Sequence, residues 1–236
     1  MRVPLPEPLY LDNHVLVMDK PWGLLTQPSG QGEDADSLES RGKSLVRMRF
    51  GKPGNVFLEA VHRIDQAVGG VVLFARTSKG LSRLNASQRG KEFRKRYLAL
   101  VCGDLSDGAG CLEDYLLHLP GERHSRIVPA GTSGALRCLL SYRLLRRLPG
   151  ASLVEVELGT GRHHQIRAQL SHSGHPICGD LKYGAPEASR SLAPEGGIAL
   201  LSWKLDFPHP VTRETISVQS ALSLVPPREE PCPYFL

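Results

Sequence analysis

The chain has 236 residues, 41% hydrophobic and 22% charged, with a formal charge of +5 at pH 7 and a sequence pI of about 9.0. That length buries a sizeable core as one large domain or two small ones, and the composition is ordinary for a globular protein. The basic balance leans toward a polyanionic partner. No stretch approaches the roughly 18 apolar residues of a membrane span, and MRVPLPEPLY lacks a basic segment followed by an apolar one, so neither a membrane span nor a signal peptide is expected. Five scattered cysteines (Cys102, Cys111, Cys138, Cys178 and Cys232), never in C-x-x-C spacing, argue against a disulfide framework or a zinc ribbon and for a reducing cytoplasm.

YLDNHVLVMDKP (10–21) carries a short apolar run ending at Pro21 and predicts a strand. QPSGQGEDADS (27–37) is glycine-rich and acidic, a surface loop. The apolar spacing of SLESRGKSLVRMRF (37–50) predicts a helix, GGVVLFAR (69–76) a buried strand, and TSKGLSRLNASQ (77–88) a helix capped by Thr77 or Ser78. FRKRYLALV (93–101) returns to a strand. The middle third, with CLEDYLLHL, ALRCLLSYRLL and the alternating LVEVEL (153–158), is strand-rich. HHQIRAQLSHSG (163–174) predicts a short helix stopped by Gly174, and GIALLSWKLDF (197–207) a buried strand followed by an alternating one. These elements predict an α+β chain with a mixed, mainly antiparallel central sheet and flanking helices. Neither a repeat nor a linker divides it, so residues 1–236 are expected to form one domain with a loose Pro-rich tail over 222–236.

Two stretches carry chemistry. RGKEFRKR (89–96) packs five cations into eight residues, among them Arg94 and Arg96. A solvated helix end accounts for it, and so does a phosphate-contacting patch. On a strand, Phe93 and Tyr97 would share one face and Arg94 and Arg96 the other, as single-stranded RNA recognition requires. GTGRHHQIRAQLSHSGHPICGDLKYG (159–184) holds four histidines, but no His-x₃-His pair within the helix and no Cys or carboxylate completes a zinc set, so no metal is expected. Its opening TGR turn would leave backbone N–H groups free for an anion and fix where Arg162 points. Arg167 follows one helical turn later, placed to pair with a carboxylate elsewhere or to serve as a structural ion pair.

These stretches together resemble the RluA family of RNA pseudouridine synthases. The resemblance rests on His62-Arg63-Ile64-Asp65 with Gly69-Gly70, on Lys95-Arg96-Tyr97-Leu98-Ala99-Leu100-Val101, on Thr160-Gly161-Arg162-His163-His164-Gln165-Ile166-Arg167, and on Gly174-His175-Pro176-Ile177-Cys178-Gly179-Asp180 through Tyr183. VLVMDKPWGLLTQPS and LLSWKLDFPHPVTRE extend it in order from about residue 8 to about 220. Departures at Gln66, Gly69, His163 and Ser202-Trp203 leave Asp65, Tyr97 and Arg167 in place.

The resemblance implies the synthase catalytic fold without a separate N-terminal RNA-binding module. It also implies isomerisation of specific uridines in a structured rRNA or tRNA stem-loop, with no cofactor. Asp65 would be nucleophile at C1′ or base at the 2′ hydrogen, kept ionised by Arg167. The apolar flanks would anchor its loop, and Gly69-Gly70 would permit a tight turn. Tyr97 would stack on uracil and take the C5 proton late. Arg63 would enter the RNA stack and hold the nucleotide flipped out, and Leu200 or Leu201 would floor the base. His62, Arg162, Arg94, Arg96 and Lys20 would contact RNA. The protein is expected to be a cytoplasmic monomer. The competing expectations are an RNA-binding or chaperone relative without turnover and a metal hydrolase built on the histidines.

Overall fold

A computed structural model describes residues 7–28, 36–51, 53–106, 108–119, 121–122 and 124–224. Most of the acidic loop (29–35), the tail beyond residue 224 and Cys232 lie outside the described residues. Among the described residues eleven strands form one sheet: β1 (Tyr10–Leu11), β2 (Val15–Lys20), β3 (Glu59–Ala60), β4 (Gly69–Ala75), β5 (Arg94–Cys102), β6 (Ala109–Leu117), β7 (Arg126–Val128), β8 (Leu136–Leu148), β9 (Ala151–Leu158), β10 (Leu200–Pro208) and β11 (Thr215–Gln219). The helices are α1 (Leu38–Phe50), α2 (Ser78–Arg89) and α3 (Gln165–His172). The main path runs β1-β2-β4-β10-β5-β9-β8-β6-β7, with β3 on β4 and β11 on β10. Every pairing is antiparallel except β4 with β10. The predicted mixed α+β sheet is therefore the observed one.

Period-two alternation gives the sheet a core on each side. Along β2 and β4, Leu16, Met18, Val72 and Phe74 enter one cluster with Leu38, Leu45 and Val46 of α1. Val15, Val17, Val71 and Leu73 enter the other with Leu84 of α2. Strands buried on both faces read as near-continuous apolar runs, as Val15–Met18 of β2 and all of β4 do. Further along, β8 exposes one face and alternates accordingly. The helix starts are capped as the sequence directs. Ser37 accepts from the Ser40 N–H at the head of α1, and Thr77 from the Gly80 N–H at the head of α2.

Several expectations change. GIALLSWKLDF holds one strand, not two; the irregularity is a register shift between Ser202 and Lys204 on β10. Gly69 and Gly70 do not form a turn but open β4. A Cβ on Gly69 would lie 2.6 Å from the Trp22 indole, and one on Gly70, at φ +109°, 2.2 Å from the Ser202 carbonyl oxygen. The pair exists for close approach, letting Trp22 and β10 lie against β4. Phe93 packs near Phe207 (centroids 6.0 Å) in the second core cluster, whereas Tyr97 lies in the first, so the two rings do not make one stacking face.

Candidate active site

The loop before β4, strands β5 and β10, and α3 meet around a cleft partly open to solvent, about 410 Å³ with its open mouth included. The Asp65 loop is stitched down on both sides. The Val68 N–H donates to the Asp65 carbonyl at 3.0 Å. Lys20 Nζ donates to the carbonyls of Pro21 (3.1 Å), Leu24 (2.7 Å) and Gln66 (3.1 Å). Gln66 Nε2 donates to the Gly23 carbonyl at 2.9 Å, and Thr26 Oγ1 to that of Ile64 at 2.9 Å. Buried Ile64 and Val68 anchor the flanks, leaving the Asp65 side chain 27% exposed between them.

Opposite it, Gln165 organises the entry to α3: its Oε1 accepts from Thr160 Oγ1 (2.8 Å) and the Arg162 N–H (3.0 Å). Arg167 then reaches inward. Its Nε and Nη2 fork onto Asp180 at 2.7 and 2.8 Å, and its Nη1 donates to Asp65 Oδ2 at 2.9 Å. Burial works against that charge, but the hydrogen bonds and field of Asp180, then of Asp65, outweigh it and hold the guanidinium above its ordinary range. Its carbon also lies 4.8 Å from the centre of the Tyr183 ring. His164, in the left-handed conformation at φ 53°, brings Nε2 to 3.3 Å from the same Asp65 oxygen. Among the described residues no protein hydrogen bond falls on Asp65 Oδ1. Tyr97 and Leu200 complete the wall beside Asp65. Burial pushes the Tyr97 phenol up to about 12, against the hydrogen bond with Ser202 and with the help of the Asp65 charge. Trp22 Nε1 donates to the Leu200 carbonyl at 3.2 Å and fixes that strand. The arrangement presents an oriented carboxylate beside a neutral aromatic ring, with cations at the rim.

Residues 14–172 match the family model described as RNA pseudouridylate synthase. The chain is 33% identical over 214 residues to the dual-specificity RNA pseudouridine synthase RluA of Haemophilus influenzae, covering 89% of this chain and 90% of that protein. The chain belongs to the RluA family of RNA pseudouridine synthases. It is thereby an isomerase that converts uridine to pseudouridine in RNA. The synthase is also 33% identical to the ribosomal large subunit pseudouridine synthase C of Escherichia coli K12, over 91% of this chain and 66% of that protein. The fold matches the solved human RNA pseudouridylate synthase domain containing 4, with TM-score 0.73 and 21% identity, over 92% of this chain and 88% of that one.

Six of the residues nominated from the sequence line the synthase's cleft: Arg63, Asp65, Tyr97, Arg162, Arg167 and Leu200. The other five do not. Lys20 is fully buried and spends its ammonium on carbonyls, so it clips the Asp65 loop and has no surface to offer RNA. Burial draws its pKa down to about 8, against the field of Asp65. His62 is buried too; its Nε2 accepts from the Leu73 N–H at 3.3 Å, which makes it a strand-packing residue and not an RNA contact. Burial, and then Lys95, hold it well below the ordinary imidazole value. Leu201 is core, and Leu200 alone of the pair reaches the cleft. Arg94 and Arg96 are engaged with Glu157 and Asp206, each at 2.8 Å. Sequence reasoning assigned no role to His164, Asp180, Tyr183 or Trp22. The only signal was their place within the quoted motifs, where nothing local shows that they converge on Arg167 and β10. Among the described residues no group of three or more His, Cys, Asp or Glu side chains is placed to hold a metal.

Proposed function

We propose that this synthase isomerises specific uridines in structured ribosomal or transfer RNA, with Asp65 attacking C1′ or removing the 2′ hydrogen. The observation that carries it is the Asp65–Arg167 pair at 2.9 Å in a cleft walled by Tyr97 and Leu200. As the bond from N1 to C1′ breaks, positive charge grows on the sugar, and a fixed carboxylate beside it stabilises that charge in either role. The released uracil turns so that C5 meets C1′, and the C5 proton leaves while N1 gains one. Tyr97, kept as a neutral phenol by burial, suits stacking on the turning ring better than it suits abstracting a proton. Leu200 floors the base. Arg63 and Arg162, both exposed at the rim, meet the RNA: Arg63 in the space vacated by the flipped nucleotide, Arg162 on backbone phosphate.

The names of the relatives, a dual-specificity RNA pseudouridine synthase and a ribosomal large subunit synthase, support an RNA substrate and, through the second, ribosomal RNA. The free cysteines suit a reducing cytoplasm, and we propose a monomer acting there as a single catalytic domain. Pseudouridine mapping of total RNA from cells with and without the gene tests the reading. Discrete sites in ribosomal or transfer RNA should vanish on deletion and return with the wild-type chain. An unchanged map, with RNA binding intact, would leave the RNA chaperone reading.

A further inference from the structure

The face of rings and cations expected over residues 89–96 is not built there, but one stands beside the cleft. His164, which lines the cleft, stacks on His163 with ring centroids 3.9 Å apart and planes 18° apart. His163 in turn meets His118 at 4.0 Å and 34°. Consecutive residues of a helix fan about 100° apart; His164 instead takes the left-handed conformation, at φ 53°, and the two rings lie nearly parallel. Buried Ser125 holds the middle ring. Its Oγ donates to the His163 carbonyl at 2.8 Å, so at 3.0 Å from Nδ1 that oxygen accepts the ring proton. The column begins in the cleft wall and ends on His118, just past the end of β6, where both His118 and His163 are exposed. Burial, and then His118, lower the His163 pKa, and burial holds His164 at about 3, so these two rings are neutral at working pH. Neutral rings offer π faces where charged ones would seek phosphate. The cations stand beside them: Arg162 precedes His163 at the exposed rim, and the field of Lys182 reaches both His163 and His164.

We propose that His118, His163 and His164 form a stacking platform for an unpaired RNA base beside the flipped uridine, with His118 the ring that the base covers. The assignment rests on the reading of the cleft as the uridine site. A nucleotide drawn out of its stack leaves neighbours that have lost a partner. A π face continuous with the cleft wall returns one, and base–ring stacking needs no hydrogen-bond readout. Arg162, next in the chain to the column, supplies a cation for the phosphate of the same nucleotide.

The probe is the stem-loop identified by the pseudouridine map, with 2-aminopurine placed in turn at each unpaired position flanking the target uridine. Binding to the wild-type chain should quench the fluorescence at one of these positions. His118→Ala should abolish that quenching and weaken RNA affinity about tenfold, with the slope of affinity against salt unchanged, because no phosphate contact is lost. His118→Phe should restore both quenching and affinity, since it keeps a ring, and His118→Lys, which keeps only a cation, should restore neither. Wild-type affinity for His118→Ala, equal weakness of the Ala and Phe variants, or quenching at no position would each overturn the platform. Rescue by His118→Lys and not by His118→Phe would overturn it too, by showing a charge on phosphate. An unchanged pseudouridine map would overturn the reading of the cleft and the platform with it, whereas a changed map with no quenched position defeats the platform alone.

Discussion

Two regions of this synthase attract attention for charge, and the fold treats them oppositely. Residues 89–96 hold the densest run of cations, yet Arg94 and Arg96 lie on β5 paired with Glu157 and Asp206 of the flanking strands. Asp65 is the single acid between Val61 and Ala75, and its partner arrives from 102 residues away. The first pairs are partly solvated, with Arg94 58% exposed; the second lies against a guanidinium only 7% exposed that is itself forked onto a carboxylate at 1%. Charge density along a chain marks where water is available, whereas an isolated charge in an apolar frame marks where the fold has built a partner for it.

The contrast sharpens under substitution. The largest loss of stability is expected from Arg167→Leu, which strands Asp180 in the core without a partner. About 3–5 kcal/mol should disappear in urea denaturation, together with turnover. Gly70→Ala comes next. Its Cβ would sit 2.2 Å from the Ser202 carbonyl oxygen at a φ of +109°, and separating β4 from β10 should cost about 3 kcal/mol and slow catalysis by displacing Leu200. If Gly70→Ala is as stable as wild type, the close approach is not what the glycine serves.

Acid acts through the same frame. His164 is held at about 3 when folded, against 6.5 ordinarily. Between those values the unfolded chain binds a proton that the folded chain refuses, so stability is lost as pH falls below about 6.5. That amounts to about 2 kcal/mol from pH 7 to pH 5, and His62, depressed by its burial, adds in the same direction. Denaturation midpoints at the two pH values should show the loss, and His164→Leu should reduce it. The smallest effect belongs to the cation-rich strand. Arg94→Ala should cost at most about 0.5 kcal/mol and leave the single-turnover rate unchanged. A fall in the salt slope of RNA binding by about one unit would show that Arg94 leaves Glu157 for a phosphate in the complex.

Much of this was legible in the sequence, for physical reasons that are local. Fully buried β4 and the Val15–Met18 stretch of β2 read as apolar runs, and the Thr77 cap announces α2. What failed was non-local. β7 and β11 are three and five residues long, too short for alternation to register. Lys20 reads as a surface cation until the carbonyls of Pro21, Leu24 and Gln66 converge on it. His62 is expected on RNA from its place beside Arg63, but it turns into the core. Asp65, Tyr97 and Arg167 were nominated through motifs, and the sheet order brings them together by placing β10 between β4 and β5. The residues that hold them, Asp180, Tyr183 and Trp22, lie in stretches whose only local message is packing.

The central claim is that Asp65, oriented by Arg167, is the reacting group. Asp65→Asn keeps the side chain's shape and removes its charge, so a single-turnover assay of that variant on a target stem-loop tests the claim most directly. The account predicts no detectable pseudouridine, a loss of at least about a thousandfold, with RNA affinity within about threefold of wild type. Product formed by Asp65→Asn at a rate comparable to wild type would contradict it.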